Sequence, residues 1–327
     1  MTRPGGDDRR LLLAIDGGGI RGIIPATLLV ALERVTGRLT RETFSFVAGT
    51  STGAIITAGV VAGIPAERIL DLYLTRAQEV FTKGPLNLPR RIVLGSMYST
   101  DRLRDVVANA LGSSRDWRLN DSPIDLLITA KRLTDGMPWY FVRDDPANAG
   151  RTGHLRLVDC AVASAAAPTY FPPYSVEGVG RLVDGGIGVA GNPVYQACVE
   201  AFYYTRRYQP GRTTIVSLGT GRFPAPGTPT WLWPWLEWVI GELLRSPGEQ
   251  QTEIVRRHFP EAPFYRIDPV LDRPVALDGV EQIDLLRAYG ERLAAQVDWQ
   301  AILRGDEAAG CVSDENTLWP QDARRLS

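Results

Sequence analysis

FVAGTSTGAI, residues 46–55, places Ser51 between Gly49 and Gly53 at the end of an apolar run. This G-x-S-x-G spacing is typical of a nucleophile elbow, a sharp turn between a strand and a helix that exposes a serine hydroxyl. The pattern predicts a buried strand before the serine, a helix after it, and Ser51 as a candidate nucleophile. A serine used in this way also needs a base and hydrogen-bond donors for an oxyanion, which other parts of the chain must supply.

Strand-like and helix-like segments alternate along most of the sequence. Short apolar runs predict strands at residues 11–15, 44–49, 125–133, 138–144, 180–186 and 213–221. Longer runs with helical periodicity predict helices at residues 23–35, 52–63, 64–81, 99–111, 155–167, 193–204 and 280–297. This alternation is typical of an α/β fold in which helices cover the faces of a largely parallel sheet.

The simplest domain organisation is one α/β unit over residues 11–300. The chain of 327 residues is 44% apolar, which is enough for one large core. Residues 1–10 are polar and predict a flexible N-terminus, whereas residues 301–327 predict a less regular tail.

The composition excludes several kinds of partner and location. The 36 basic and 37 acidic residues balance, so a nucleic acid polymer is not an expected partner. Three scattered cysteines, Cys160, Cys198 and Cys311, form no C-x-x-C pair, which fits a reducing compartment. The first apolar run is too short for a signal peptide, and no run reaches the roughly 18 apolar residues of a membrane-spanning helix. We therefore expect a cytoplasmic location.

The glycine cluster AIDGGGIRG, residues 14–22, follows the first predicted strand and precedes a helix. Its spacing fits the dinucleotide-binding motif G-x-G-x-x-G, but that motif requires an acidic residue at the end of the next strand, where none is present. Alternatively, consecutive glycine amides at a helix N-terminus stabilise an anion such as a transient oxyanion. A plain turn with a positive φ is the third interpretation. On the oxyanion interpretation the candidate residues are Gly17, Gly18, Gly19 and Arg21.

Two histidines and one aspartate are the candidates for the base that activates Ser51. His258 comes late in the chain, like the histidine of an α/β-hydrolase triad, but it lies in the arginine-rich segment VRRHFP. His154 lies in a loop, and we interpret both histidines as surface residues. Asp184 ends the apolar run GRLVD and precedes two glycines, which allow another backbone to approach closely. Partial burial raises the pKa of such a carboxyl and makes it a better base, although an ordinary Asp-Gly turn explains the same pattern.

Five segments in order resemble those of patatin-like phospholipases, namely DGGGIRG, GTSTG, ASAAAPTYFPP, DGG and SLGTG. The resemblance covers roughly residues 11–222. It implies a three-layer α/β/α sandwich with a mostly parallel central sheet, and hydrolysis of acyl esters in phospholipids or related lipids without a metal or cofactor. It also implies a catalytic dyad of Ser51 as nucleophile and Asp184 as base, with an oxyanion hole formed or supported by Gly17, Gly18, Gly19 and Arg21.

A tryptophan-rich segment, WLWPWLEWVIGELLR, occupies residues 231–245. Its polar positions recur about every fourth residue, which predicts a helix with one polar stripe. Because tryptophan favours the membrane–water boundary, one interpretation is a lipid-facing lid or anchor that makes transient contact with a membrane surface. The other interpretation is a helix packed on the core, and the acidic character of the stripe does not favour attraction to an anionic membrane.

Three functional hypotheses remain open at this stage. The first is a serine esterase of the patatin type. The second is a patatin-like phospholipase effector that is activated by a nucleotide signal or a partner. The third is a non-catalytic ligand-binding domain of the same fold, which the presence of both Ser51 and Asp184 disfavours. Ester hydrolysis with and without candidate activators discriminates among them.

Overall fold

The structure, a computed structural model, describes residues 9–81, 96–145, 150–188, 190–223 and 248–306. Within these ranges the strands are β1 (Arg10–Ile15), β2 (Phe46–Gly49), β3 (Asp125–Arg132), β4 (Pro138–Val142), β5 (Tyr174–Val176), β6 (Gly180–Asp184), β7 (Thr213–Leu218) and β8 (Phe264–Ile267). They form one sheet with the order β5-β6-β3-β2-β1-β7-β8, and β4 pairs with β3 outside this path.

The α-helices of the described residues are α1 (Ile23–Thr36), α2 (Thr40–Thr43), α3 (Thr52–Ala62), α4 (Ala66–Val80), α5 (Thr100–Leu111), α6 (Leu157–Ser164), α7 (Val194–Val199), α8 (Ile283–Gln296) and α9 (Trp299–Arg304). Residues 248–258 are also helical. A 3-10 turn at Gly19–Gly22 leads from the glycine cluster into α1, and α7 continues as the π-helix Glu200–Thr205.

Helices cover both faces of the sheet, and the alternation of side chains along β1 explains how. Leu13 and Ile15 belong to a core cluster that includes residues of α1, α4 and α8. Leu12 and Ala14 point to the other face and pack with residues of α7. All four side chains are fully buried, as expected for a strand that is covered on both faces. The predicted α/β/α sandwich is therefore confirmed.

The sheet is mixed, with four parallel and three antiparallel ladders among the described strands. The ladders β1–β2, β1–β7, β2–β3 and β7–β8 are parallel. The ladders β3–β4, β3–β6 and β5–β6 are antiparallel. Two of them, β3–β4 and β5–β6, are hairpins whose connections are too short for a parallel crossover.

Two strands share one edge of β3, end to end. Along this edge β2 pairs with the first half of β3, where Gly49 lies opposite Ile128. Further along the same edge β6 runs in the opposite direction, and its last residue, Asp184, lies opposite Ala130. The end of β6 therefore meets the end of β2, which brings Asp184 to the turn that holds Ser51.

Several predicted elements differ from the structure or lie outside it. The short elements α2, β5 and β8 were not predicted. The predicted helix 193–204 is partly π-helical, and the predicted helix 280–297 begins with a 3-10 turn. Helix α9 spans residue 300, where the sequence analysis placed a domain boundary. That boundary stays a prediction. The tryptophan-rich helix predicted at residues 231–245 lies outside the described residues.

Candidate active site

Ser51 occupies the turn between β2 and α3 in a conformation that few non-glycine residues adopt. Its φ is 55° and its ψ is −120°, a backbone strain of about 1–3 kcal/mol. The flanking glycines permit the turn, because a Cβ on Gly49 would collide with the Gly53 carbonyl and one on Gly53 with the Ile15 carbonyl. Ser51 is the N-cap residue of α3, where the helix dipole stabilises negative charge on its oxygen.

Buried hydroxyl groups that the sequence analysis did not single out support this turn. The Ser51 backbone N–H donates to Ser164 Oγ at 2.8 Å, and the preceding Thr50 hydroxyl donates to the Ala190 carbonyl at 2.6 Å. Thr50 Oγ1 also lies 2.7 Å from Thr129 Oγ1. Ser164 belongs to the segment ASAAAPTYFPP, whose resemblance to a family segment was the one available signal for it.

Asp184 lies at the end of β6 with only 5% of its surface exposed. Its Oδ1 accepts a hydrogen bond from the Gly186 N–H at 2.7 Å. Burial raises the pKa of the Asp184 carboxyl to about 6, and hydrogen bonds from the Ser51 hydroxyl and the Gly186 amide oppose this rise. The structure therefore brings together the predicted nucleophile and a carboxyl group whose pKa suits a base near neutral pH.

The first glycine of the cluster differs from the expected oxyanion donor. The Gly17 N–H already donates to the Gly191 carbonyl at 2.9 Å, so it is not available to a substrate oxygen. Gly17 instead lets the loop approach the nucleophile, because a Cβ there would lie 3.2 Å from the Cβ of Ser51. The glycine at this position supports the site by its size rather than by its amide.

The next two peptide groups link Gly17 to Gly18 and Gly18 to Gly19, and the protein hydrogen-bonds the carbonyl oxygen of each. Thr220 Oγ1 donates to the Gly17 carbonyl at 2.7 Å, and Arg21 Nε donates to the Gly18 carbonyl at 3.3 Å. In a trans peptide the N–H points opposite to the C=O, so the amides of Gly18 and Gly19 face the other way. Neither amide has an acceptor within the described residues, and both remain candidates for an oxyanion hole.

Arg21 supports this loop from behind. Besides the Gly18 carbonyl, its guanidinium donates to the Gly221 carbonyl at 3.1 Å and lies 5.1 Å from the centre of the Phe223 ring. Burial lowers the pKa of Arg21, whereas the charges of Asp268 and Asp16 raise it. The Arg21 guanidinium therefore binds backbone carbonyls on both sides and holds the glycine loop in place.

An apolar cavity of about 80 Å³ lies beside the nucleophile. Gly19, Ser51 and Thr52 contribute to its wall, together with apolar side chains that include Ile55, Leu72, Val80, Leu103, Val106 and Phe171. Such a lining suits a hydrocarbon chain. Arg76 brings a charge to the same wall, and its Nε lies 3.0 Å from Glu79.

Neither histidine lines the cavity beside Ser51. His154 and His258 are exposed, and His258 Nδ1 lies 3.2 Å from the Tyr195 hydroxyl. The described residues contain no cluster of three or more metal-ligating side chains. Among the helices that the structure describes, none is long and apolar enough to cross a membrane.

Comparison with known proteins identifies related sequences. A family profile described as patatin-like phospholipase matches residues 13–198. A cGAMP-activated phospholipase of Escherichia coli (strain TW11681) is 30% identical over 200 residues, which cover 58% of this chain and 55% of the relative. Patatin-like protein 2 of Arabidopsis thaliana is 28% identical over 342 residues, which cover 86% of this chain and 82% of the relative. The chain therefore spans only about half the length of the bacterial relative.

A solved structure has the same overall fold. Human GIVD cytosolic phospholipase A2 matches with a TM-score of 0.51 at 12% sequence identity. The match covers 94% of this chain and 61% of the human chain.

Proposed function

The chain belongs to the patatin-like phospholipase family, and from this premise we propose that it hydrolyses acyl esters of phospholipids or related lipids with a Ser51–Asp184 dyad. The observation that carries this proposal is the meeting of Ser51, in its strained turn, with the buried Asp184 carboxyl. A base with a pKa of about 6 is ionised at neutral pH and still accepts a proton readily.

In the proposed reaction, Ser51 Oγ forms a bond to the ester carbonyl carbon while its proton passes to Asp184. The tetrahedral intermediate carries negative charge on the former carbonyl oxygen, and the amides of Gly18 and Gly19 stabilise that charge. The intermediate collapses as the C–O bond breaks, and Asp184 returns the proton to the leaving alcohol. The acyl group is then attached to Ser51.

Water completes the cycle. Asp184 takes a proton from a water molecule, whose oxygen attacks the acyl-enzyme carbonyl and forms a second tetrahedral intermediate at the same amides. Its collapse releases the fatty acid, and the proton returns to Ser51. The apolar cavity beside Ser51 supports a hydrocarbon chain as the acyl group.

We also propose that the enzyme is cytoplasmic and contacts a membrane surface transiently. Exposed apolar side chains lie at the same edge of the sheet as Ser51, with Leu133 and Met137 in the β3–β4 hairpin and Ile187 after β6. Lys131 and Arg181 belong to the strands behind them, whereas the charge of Arg132 is paired with Asp135 of the hairpin. Apolar side chains next to the charges of Lys131 and Arg181 favour an interface with anionic lipid. Partition of the protein to vesicles of phosphatidylglycerol tests this contact, which fails if Leu133→Ser leaves the partition unchanged.

A second candidate is an effector that hydrolyses lipid only after a nucleotide signal binds. The names of bacterial relatives, which are cGAMP-activated phospholipases, favour it. Addition of cyclic GMP–AMP to the purified protein distinguishes the two forms of the proposal. Turnover that requires the nucleotide supports the effector, whereas equal turnover without it supports an enzyme that needs no such signal.

The direct test of the proposed activity uses Ser51→Ala on phospholipid vesicles, with release of fatty acid as the readout. We expect the variant to lose hydrolysis completely while it keeps the fold. Ser175→Ala, at an exposed position of β5, is the matched control and should retain full activity. Fatty acid release by Ser51→Ala at the wild-type rate would contradict the proposal.

A further inference from the structure

The glycine loop is held by a buried ion pair that the reaction scheme does not use. Asp16 directly precedes Gly17, and its carboxylate accepts two hydrogen bonds from Arg266. Nη1 lies 3.0 Å from Oδ1, and Nη2 lies 2.6 Å from Oδ2. Only 12% of the Arg266 side chain and 11% of the Asp16 side chain are exposed. This two-point contact fixes both the distance and the orientation of the carboxylate.

Arg266 also joins two other strand ends to the loop. Its guanidinium donates to Ser217 Oγ at 2.8 Å and to Asp268 Oδ2 at 3.0 Å. Asp268 Oδ1 accepts a hydrogen bond from the Gly221 N–H at 2.9 Å, and the Gly221 carbonyl is the acceptor of Arg21. One connected set of hydrogen bonds therefore runs from β7 and β8 to both ends of the loop.

Apart from Asp16 and Arg21, the residues of this network lie outside the part of the chain that matches the family profile, which ends at residue 198. Thr220 holds the Gly17 carbonyl, and Arg266 holds Asp16. The carbonyl of Leu277 accepts the Ile20 N–H at 2.8 Å. The last third of the described chain thus packs against the loop on the side opposite the amides that would face the substrate.

We propose that Arg266 is a positioning residue of the hydrolysis, which fixes Asp16 and thereby aims the Gly18 and Gly19 amides at the reacting carbonyl oxygen. The inference rests on the proposed function, because it assigns a purpose to the loop only if that loop binds an oxyanion.

The electrostatics of the pair explain why the loop depends on it. Burial raises the pKa of Asp16 to about 6, and the Arg266 charge and hydrogen bonds oppose this rise. Burial alone would lower the pKa of Arg266, but the charges of Asp16 and Asp268 raise it above its ordinary value. Without Arg266 the Asp16 carboxylate would be buried with no bidentate partner, so it would take up a proton or move toward water. Either change shifts the residue that begins the loop.

The test measures kcat and KM for a short-chain p-nitrophenyl ester. Arg266→Met removes the charge and all hydrogen bonds, and we expect kcat to fall between about ten-fold and the roughly 10³-fold loss that follows removal of an oxyanion donor. KM should change little, because the loop acts on the transition state rather than on the bound ester. Arg266→Lys keeps the charge without the two-point geometry and should give an intermediate kcat. If the methionine variant fails to fold, the lysine variant still carries the test.

Two further variants separate positioning from general stability. Arg207 pairs with the buried Asp125 at the opposite end of β3, so Arg207→Met should lower Tm and leave kcat unchanged. Asp16→Asn should lower kcat. The double variant Asp16→Asn with Arg266→Met should be no slower than Arg266→Met alone, because that single change already breaks the contact with Asp16 as well as those with Ser217 and Asp268.

Two results would overturn the inference. In the first, Arg266→Met lowers Tm but keeps the kcat of Arg207→Met. In the second, the losses from Asp16→Asn and Arg266→Met multiply in the double variant. A wild-type protein with no ester turnover and no reaction with a fluorophosphonate would overturn the proposed function as well. In the two results above the wild-type protein still hydrolyses the ester, so they overturn the positioning role alone.

Discussion

Asp184→Asn tests the proposed base through two effects of opposite sign. Asparagine is nearly isosteric and still accepts the Gly186 amide, but it cannot take the proton of Ser51. We expect turnover to fall by about 10²–10⁴, the usual range for loss of a general base. The same change should make the folded protein more stable at neutral pH, because it removes a charge that the native state buries.

The size of the stabilisation follows from the pKa of Asp184, which folding raises from 3.8 to about 6. Below pH 3.8 the carboxyl is neutral in both the folded and the unfolded chain. Folding then buries no charge at this position, and the contribution of Asp184 to stability is at its most favourable. As the pH rises from about 4 through about 6, the unfolded chain releases the proton first, so this contribution is lost. A shift of about two pKa units corresponds to about 3 kcal/mol of unfolding free energy above pH 7.

Denaturant unfolding at pH 4 and pH 8 measures this difference directly. We expect Asp184→Asn to exceed wild type by up to about 3 kcal/mol at pH 8 and by much less at pH 4. Asp71→Asn, at an exposed position of α4, is the matched control and should change little at either pH. A variant that is destabilised at pH 8, or that keeps wild-type turnover, would refute the assignment of Asp184 as a buried base.

Three other substitutions test the parts of the site separately. Gly18→Ala places a Cβ against the Thr220 side chain and should lower kcat by about 10²–10³. Gly211→Ala places its Cβ 3.9 Å from Glu261 Cγ, an ordinary contact, and should leave kcat unchanged; equal kcat values for the two variants would contradict the oxyanion role. Ser164→Ala removes the acceptor of the Ser51 amide, and we expect a loss of about 1–3 kcal/mol in unfolding free energy together with a lower kcat, both measured on one preparation. His258→Ala should keep ester turnover within a few-fold of wild type, and a collapse would restore the triad hypothesis.

The nucleophile elbow was predictable from the sequence because its requirements are local. Gly49 and Gly53 have no room for a side chain, so the turn leaves a fixed spacing around Ser51 in the sequence. Asp184 was predictable only as a candidate. Its approach to Ser51 depends on β6 running antiparallel along the part of the β3 edge that β2 leaves free. The direction in which a strand pairs with one distant in sequence has no signature in a single segment.

The identity of the free amides in the glycine loop was not predictable from the loop itself. The Gly17 amide is occupied by the carbonyl of Gly191, and the Gly17 carbonyl is held by Thr220. Arg266 sits 250 positions from Asp16 along the chain. Such long-range contacts decide which groups face a substrate. The sequence of the loop would be the same whichever of its amides the rest of the protein hydrogen-bonds.

The most direct test of Ser51 as the nucleophile is the site at which a fluorophosphonate attaches. Intact-mass analysis followed by peptide mapping should find one phosphonyl group per chain, on the peptide that contains Ser51 and on the oxygen of that serine. We expect Ser51→Ala to take up no label under the same conditions. A phosphonyl group on another residue of the wild-type chain, or full labelling of Ser51→Ala, would contradict the claim that Ser51 is the nucleophile.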